Sequence, residues 1–169
     1  LVLADFVAVN LVDRVFDNPV AFTSLEVFVG LYGYTLQIYC DFSGYTDMAL
    51  ALCLALGFSF PRNFESPYLA CGPRAFWRRW HISLSTWLRD YLYVPLGGNR
   101  KGPGRLYLAL ILTMTLGGLW HGAKWTFVIW GVFHGALLVL ERLLGERGPP
   151  AWTRWPFFFV LTLLGWMIF

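Results

Sequence analysis

The sequence predicts an all-α protein embedded in a membrane, and three observations carry this prediction. Hydrophobic residues make up 57% of the chain and charged residues 14%, whereas an ordinary soluble domain is roughly a quarter charged. Aromatic residues, which are part of the hydrophobic set, alone make up 19% of the chain. No stretch alternates with the period of two that a transmembrane strand requires. Since a helical span needs about 20 apolar residues, the chain has room for four or five membrane segments.

The two ends of the chain lead us to expect a piece of a larger membrane domain. The first residue is Leu1, and the last fifteen residues, 155–169, are uncharged and apolar, as at the start of a further span. Residues 1–16 read either as the end of a span or as an interfacial helix. A turn is predicted at Asp17-Asn18-Pro19, because Asn and Pro favour turns.

Residues 24–60 form the first predicted membrane helix region, starting at Ser24. At ~1.5 Å per residue, a continuous helix of this length would measure about 50 Å, against a bilayer core of ~30 Å. Its interior charges are Asp41 and Asp47, on either side of Ser43-Gly44. We therefore expect a break or kink near Gly44.

Residues 61–105 form a basic loop. Acidic residues number two, and basic residues number eight: Arg62, Arg74, Arg78, Arg79, Arg89, Arg100, Lys101 and Arg105. By the positive-inside rule this loop lies in the cytoplasm. Within it, apolar residues recur at helical spacing from Pro73 onward, with arginines largely opposite, which predicts one amphipathic interfacial helix over residues 73–93.

Residues 106–140 predict a short helical hairpin within the membrane. The stretch contains a single full charge, Lys124, and its halves, 106–123 and 125–140, are each shorter than a full span. Residues 120–124 would then turn inside the bilayer, where irregular backbone must be buried in protein or line a wet cavity. Residues 141–154 are weakly basic again and favour a return to the cytoplasmic side.

His121 is the leading candidate for chemistry, because an ionisable side chain at membrane depth is costly and is usually retained for function. A neutral imidazole can accept a proton from a hydroxyl about 3 Å away. Gly117, Gly118 and Gly122 would let a substrate or a backbone approach it closely. The alternative is a core histidine that forms hydrogen bonds between helices.

Four other polar residues remain open between functional and structural roles. His81, on the apolar face of the predicted helix 73–93, could face a cavity or snorkel at the membrane surface. His134 could face His121 across the hairpin or point elsewhere. Asp41 and Asp47 could line a tunnel, orient a histidine, or pair with Lys124 or an arginine.

Several other classes of site are not indicated. The three cysteines, Cys40, Cys53 and Cys71, and the three histidines lack zinc-ligand spacing, so no metal is expected. Neither a nucleophile elbow nor a phosphate-binding P-loop occurs. Beside apolar spans, the basic patch at 74–105 favours anionic lipids or a phosphorylated carrier over nucleic acid.

Three long motifs resemble signatures of the membrane-bound O-acyltransferase family. They are YCDFSGYTDMA at residues 39–49, FWRRWHISLSTWLRDYLYVPLGGN at residues 76–99, and GGLWHGA at residues 117–123. The resemblance extends from about Ala4 to Glu141 and is greatest to the bacterial branch that O-acetylates alginate. On it, the family's catalytic histidine falls on His121, and its second signature residue falls on His81.

The resemblance implies a membrane helical bundle around a tunnel, in the bacterial inner membrane. It implies acyl transfer, most simply of acetyl, from a thioester such as acetyl-coenzyme A to a hydroxyl of an exported polysaccharide. No bound cofactor is implied. The expected partners are membrane lipids, the polysaccharide acceptor and a periplasmic acetyl-transfer protein. His121 would act as the base, and His81 would orient the donor or stabilise charge on the carbonyl.

Two functions from other classes remain as alternatives. A proton-coupled transporter or channel could use the same His and Asp residues as a relay. A non-catalytic scaffold could recruit polysaccharide-export partners without needing His121. Neither alternative requires W-H-G in a short hairpin together with R-W-H-I-S on an interfacial segment.

Overall fold

The computed structural model describes residues 1–145 and 151–169, which form helices and no strand. This confirms the predicted all-α class. These described residues contain eight α-helices: α1 Val2–Val7, α2 Asp13–Asp17, α3 Ser24–Ala55, α4 Pro73–Trp77, α5 Ile82–Leu88, α6 Pro103–His121, α7 Trp125–Leu144 and α8 Ala151–Ile168. The chain divides into two compact units, Leu1–Arg62 and Asn63–Phe169. Glu146 and Arg147, part of the predicted return segment 141–154, lie outside the described residues.

The first unit is organised around α3, a single helix of 32 residues. It runs through Gly44 without interruption, so the predicted break there was wrong. One glycine costs a helix only about 1 kcal/mol relative to alanine. The neighbouring Thr46 hydroxyl donates to the Ser43 carbonyl within the helix, at 3.0 Å, and does not disrupt it.

Helix α3 starts at Ser24, as predicted. Thr23 is its N-cap, and Glu26, three residues later, is correctly spaced for a capping box. The Thr23 backbone N–H donates to Glu26 Oε2 at 2.8 Å, and the Glu26 N–H donates to Thr23 Oγ1 at 3.4 Å.

Residues 2–17 pack along α3, and a π-helical turn at Ala8–Val12 joins α1 to α2. Small residues on α3 permit the contact. A Cβ at Gly30 would lie 2.9 Å from Val15 Cγ1, and a Cβ at Gly33 would lie 2.6 Å from Leu11 Cδ2. The acidic N-terminal segment is therefore helical, as expected, and ends at the predicted turn after Asp17.

The second unit is built on the antiparallel pair α6 and α7. Two helices form where the short hairpin was predicted, but with 19 and 20 residues they are longer than expected. Their backbones touch, because a Cβ at Gly118 would collide with the Phe127 carbonyl oxygen and one at Gly131 with the Met114 carbonyl oxygen. Among the described helices, α7 alone is both long enough and apolar enough to cross a membrane.

The predicted single helix over 73–93 was wrong. The segment forms α4, then a turn, then α5, then a π-helical turn at Arg89–Tyr93. The interruption lies at His81, whose backbone adopts the left-handed conformation with φ of 43°. An α-helix cannot continue through such a residue, so His81 precedes α5 and does not lie on a helix face.

An aromatic core joins α4, α7 and α8. Phe76 and Trp130 are almost fully buried, and Phe76 stacks on Trp80 with ring centroids 5.7 Å apart. Polar contacts fix the periphery: the Arg74 backbone N–H donates to Glu141 Oε2 at 2.9 Å. These contacts hold the broken 73–93 segment against the hairpin.

Candidate active site

His121 is the last residue of α6, and its ring is oriented by its own helix. The distance between Nδ1 and the Gly117 carbonyl oxygen is 2.7 Å. Since a carbonyl oxygen can only accept, Nδ1 carries a hydrogen and the neutral ring has its lone pair on Nε2. The following residue must be small, because a Cβ at Gly122 would lie 2.5 Å from Phe127 Cε2.

Aromatic rings surround His121. Their centroids lie 5.1 Å from it for Trp120, 5.2 Å for Trp130 and 5.4 Å for Phe169. The imidazole is half-buried. Such a setting excludes much of the water that would compete for the Nε2 lone pair, while it leaves one side of the ring accessible.

His81 lies in the turn between α4 and α5. Its Nδ1 is 3.3 Å from Asn63 Oδ1. Burial, together with the charge of nearby His121, lowers the pKa of His81 from 6.5 to about 4. The ring is therefore neutral at physiological pH.

The two predicted site histidines come together through Trp120. The Trp120 ring lies 6.3 Å from His81 and 5.1 Å from His121, edge-to-face with both. Forty residues separate the histidines in the sequence. The turn at His81 and the end of α6 bring both rings against Trp120.

His134 occupies the core behind the site. It is 4% exposed and lies 4.7 Å from Trp130, whose ring separates it from His121. Phe76 stacks nearly parallel on it at 6.2 Å. Its environment fits the structural alternative. Asp41 and Asp47 are exposed on α3 in the first unit, and their roles stay predictions.

A basic cavity of about 480 Å³ also lies in the second unit, and the sequence analysis did not predict it. Its lining includes four arginines: Arg74, Arg78, Arg89 and Arg142. Thr113 also lines it, and its buried Oγ1 has no hydrogen-bond partner. The net positive charge of residues 61–105 was visible in the sequence. It did not indicate that these arginines share a cavity with Arg142.

The cavity is connected to the histidine site by one contact. Leu88 lines the cavity, and a Cβ at Gly117 would lie 3.0 Å from Leu88 Cδ1. The carbonyl of the same Gly117 binds His121. Within the described residues, no three His, Cys, Asp or Glu side chains converge as a metal site would require. The arrangement can remove a proton from a hydroxyl next to a cavity suited to an anionic ligand.

Comparison with known proteins matches residues 3–169 to the membrane-bound O-acyltransferase family. A "probable alginate O-acetylase" of Pseudomonas putida is 52% identical over 99% of this chain and 35% of its own length. A "peptidoglycan O-acetyltransferase" of Helicobacter pylori is 42% identical over 99% of this chain and 31% of its own. A "teichoic acid D-alanyltransferase" of Streptococcus thermophilus is 36% identical over 66% and 28%. The chain thus spans about a third of these relatives.

Proposed function

Because this chain belongs to the membrane-bound O-acyltransferase family, we propose that the protein containing it transfers an acyl group from a thioester to a hydroxyl. The acyl group is acetyl, and the acceptor pathway leads to an exported polysaccharide such as alginate, in keeping with the alginate O-acetylases at about 52% identity. The observation that carries the proposal is the 2.7 Å contact from His121 Nδ1 to the Gly117 carbonyl.

In the proposed reaction His121 is the general base. Its Nε2 takes the proton of the acceptor hydroxyl while the hydroxyl oxygen attacks the thioester carbonyl carbon. The tetrahedral intermediate then collapses, the carbon–sulfur bond breaks, and the proton on His121 passes to the departing thiolate. The products are an ester and a thiol, and the neutral imidazole is regenerated. His81 would orient the donor or stabilise charge on the carbonyl oxygen.

The donor would be acetyl-coenzyme A or another acyl thioester on a phosphorylated carrier, and the basic cavity is its proposed binding site. Arg74 is partly neutralised by Glu141 and Arg89 by Asp90, but the four arginines still leave the lining basic. Arginine binds phosphate oxygens well because its planar fork donates two parallel hydrogen bonds. Leu88 lines the cavity and packs against Gly117, so the cavity lies near His121.

The chain is part of a membrane protein, and we propose a multi-pass topology in the bacterial inner membrane. Helices α3, α6, α7 and α8 would supply four of the four or five proposed membrane segments, with the basic loop 61–105 in the cytoplasm. The acetyl group would then pass to the periplasmic side, either to the sugar itself or to a periplasmic partner protein.

The test is acyl transfer by the complete protein in membranes, supplied with labelled acetyl-coenzyme A. His121→Gln should reduce transfer per mole of accumulated protein at least a hundredfold, since general bases typically contribute 10²–10⁴-fold. Label is counted separately in polysaccharide and in protein, so that the wild-type distribution identifies the acceptor.

His134→Gln is the matched control, because it removes a histidine from the aromatic core behind the site. It should lower the amount of folded protein but not transfer per mole. Near-wild-type transfer by His121→Gln would contradict the general-base assignment. If the wild type makes no acyl product and His121→Gln abolishes a proton-coupled flux, the transporter alternative is favoured. If His121→Gln leaves polysaccharide export unchanged, the scaffold alternative is favoured.

A further inference from the structure

The backbone at His81 is held in an unfavourable conformation. Its φ of 43° lies in the left-handed region, which residues with a Cβ rarely adopt. Such conformations persist only where surrounding contacts enforce them, and they cluster at functional sites. Asn63 makes several of the contacts that hold this turn.

Asn63 binds the turn through both its backbone and its side chain. Its backbone carbonyl accepts from the Ile82 N–H at 2.9 Å. Its side-chain Oδ1 lies 3.1 Å from the Ser83 backbone nitrogen and 3.0 Å from Ser83 Oγ. The same Oδ1 is 3.3 Å from Nδ1 of His81.

These contacts fix which atoms carry hydrogens. The Ser83 backbone N–H can only donate, so the Asn63 atom facing it must be the amide oxygen. The Ser83 hydroxyl lies nearer to Asn63 Oδ1 than to His81 Nδ1, which is 3.4 Å away. Two acceptors would repel each other at 3.3 Å, so Nδ1 of His81 must be the donor to Oδ1.

We propose that Asn63 is a positioning residue that holds His81 in the Nδ1–H tautomer, so that His81 acts by accepting a hydrogen bond from the substrate at Nε2. This inference rests on the proposed function, and it selects between the two roles considered for His81. Stabilising an oxyanion requires a hydrogen on Nε2, and the neutral Nδ1–H tautomer has none there. Orienting an N–H or O–H group of the substrate requires the lone pair that Nε2 carries.

The electrostatics of the site support the same role. A second proton on His81 would restore a donor at Nε2, but burial and the charge of His121 lower the pKa of His81 to about 4. The repulsion from His121 acts when that ring is positively charged, so His81 remains neutral in the step in which His121 takes up the proton of the acceptor hydroxyl. The group that His81 binds is then a different one, such as an amide N–H of the thioester carrier.

The test is nitrogen NMR of the complete protein in lipid membranes, with ¹⁵N-labelled histidine. The His81 signals are assigned by their loss in His81→Gln. At neutral pH, wild-type His81 should show a protonated Nδ1 and an unprotonated Nε2. Asn63→Leu removes the acceptor, and the proton should move from Nδ1 to Nε2 in a measurable fraction of molecules. Asn10→Leu, a matched change at an exposed asparagine of the first unit, should leave the spectrum unchanged.

Asn63→Asp keeps the fold testable, because a carboxylate still accepts from Ser83 and from His81. Its negative charge should raise the pKa of His81, so the imidazolium form should appear at a pH where wild-type His81 is neutral. Donor kcat/KM at neutral pH should fall about tenfold in Asn63→Leu and less in Asn63→Asp.

Two results would overturn the inference: a protonated Nε2 on neutral wild-type His81, or an unchanged tautomer in Asn63→Leu that is still folded. The NMR experiment measures the tautomer without any transfer reaction, so the tautomer prediction can be wrong while the proposed acyl transfer is correct. Conversely, a chain with no transferase activity could still show the tautomer. The two failures are therefore distinguishable.

Discussion

At the scale of single residues, the two site histidines are held in the same way. Each directs Nδ1 at an oxygen acceptor, Gly117 for His121 and Asn63 for His81. In each neutral ring the lone pair then belongs to Nε2. A residue that removes a proton and a residue that accepts a hydrogen bond from a neighbouring group both need this tautomer. A backbone or amide oxygen selects it without placing a charged group beside the ring.

His81 should make the stability of the protein depend on pH. Its pKa is lowered from 6.5 to about 4 on folding, so between these values the unfolded chain binds more protons. The stabilisation is complete above pH 6.5 and is lost as pH falls towards 4. Thermal unfolding of the complete protein at pH 7 and pH 5 should therefore show a smaller difference for His81→Gln than for the wild type.

An equal difference in the two proteins would contradict the lowered pKa. The comparison uses one substitution at two pH values, so any effect of His81→Gln that does not depend on pH cancels.

At the scale of helices, the hairpin depends on glycines where α6 and α7 touch. Gly118→Ala should destabilise the protein by about 1–3 kcal/mol, the usual cost of overpacking, because its Cβ would meet the rigid Phe127 carbonyl oxygen. The measurement is thermal unfolding together with the amount of protein in the membrane.

Gly104→Ala is the control for this substitution. It makes the same chemical change near the start of α6, where a Cβ would meet nothing within 4 Å. Alanine has the higher helix propensity, so this variant should match or exceed wild-type stability. A similar loss in both variants would show that the glycine contact of the hairpin is not responsible.

At the scale of the whole molecule, charge asymmetry predicts orientation. A cysteine placed at Lys101, an exposed residue in the basic loop, should react with a membrane-impermeant maleimide in inside-out vesicles and not in intact cells. A background in which Cys40, Cys53 and Cys71 are replaced by serine isolates the signal. Labelling in intact cells, before any lysis, would place the loop outside and reverse the proposed topology.

The sequence alone predicted the fold class, two helices within residues 106–140, and His121 and His81 as candidate site residues. Composition decides between water and lipid for the whole chain, and helical runs such as 106–140 form their hydrogen bonds locally, so both can be inferred without tertiary contacts. The two histidines could be selected from the sequence because an ionisable residue among apolar ones is conspicuous, and because the motifs around His121 and His81 are long.

Tertiary contacts set the form of the 73–93 segment and the backbone conformation of His81. Helical periodicity continues through this segment, so pattern alone predicted one helix. The break depends on Asn63, eighteen residues earlier, whose oxygen binds the turn at His81 and Ser83. In the same way, three arginines of residues 74–89 share a cavity with Arg142 from another helix. In each case the outcome depends on contacts between residues that are distant in the sequence. A local sequence pattern does not indicate such contacts.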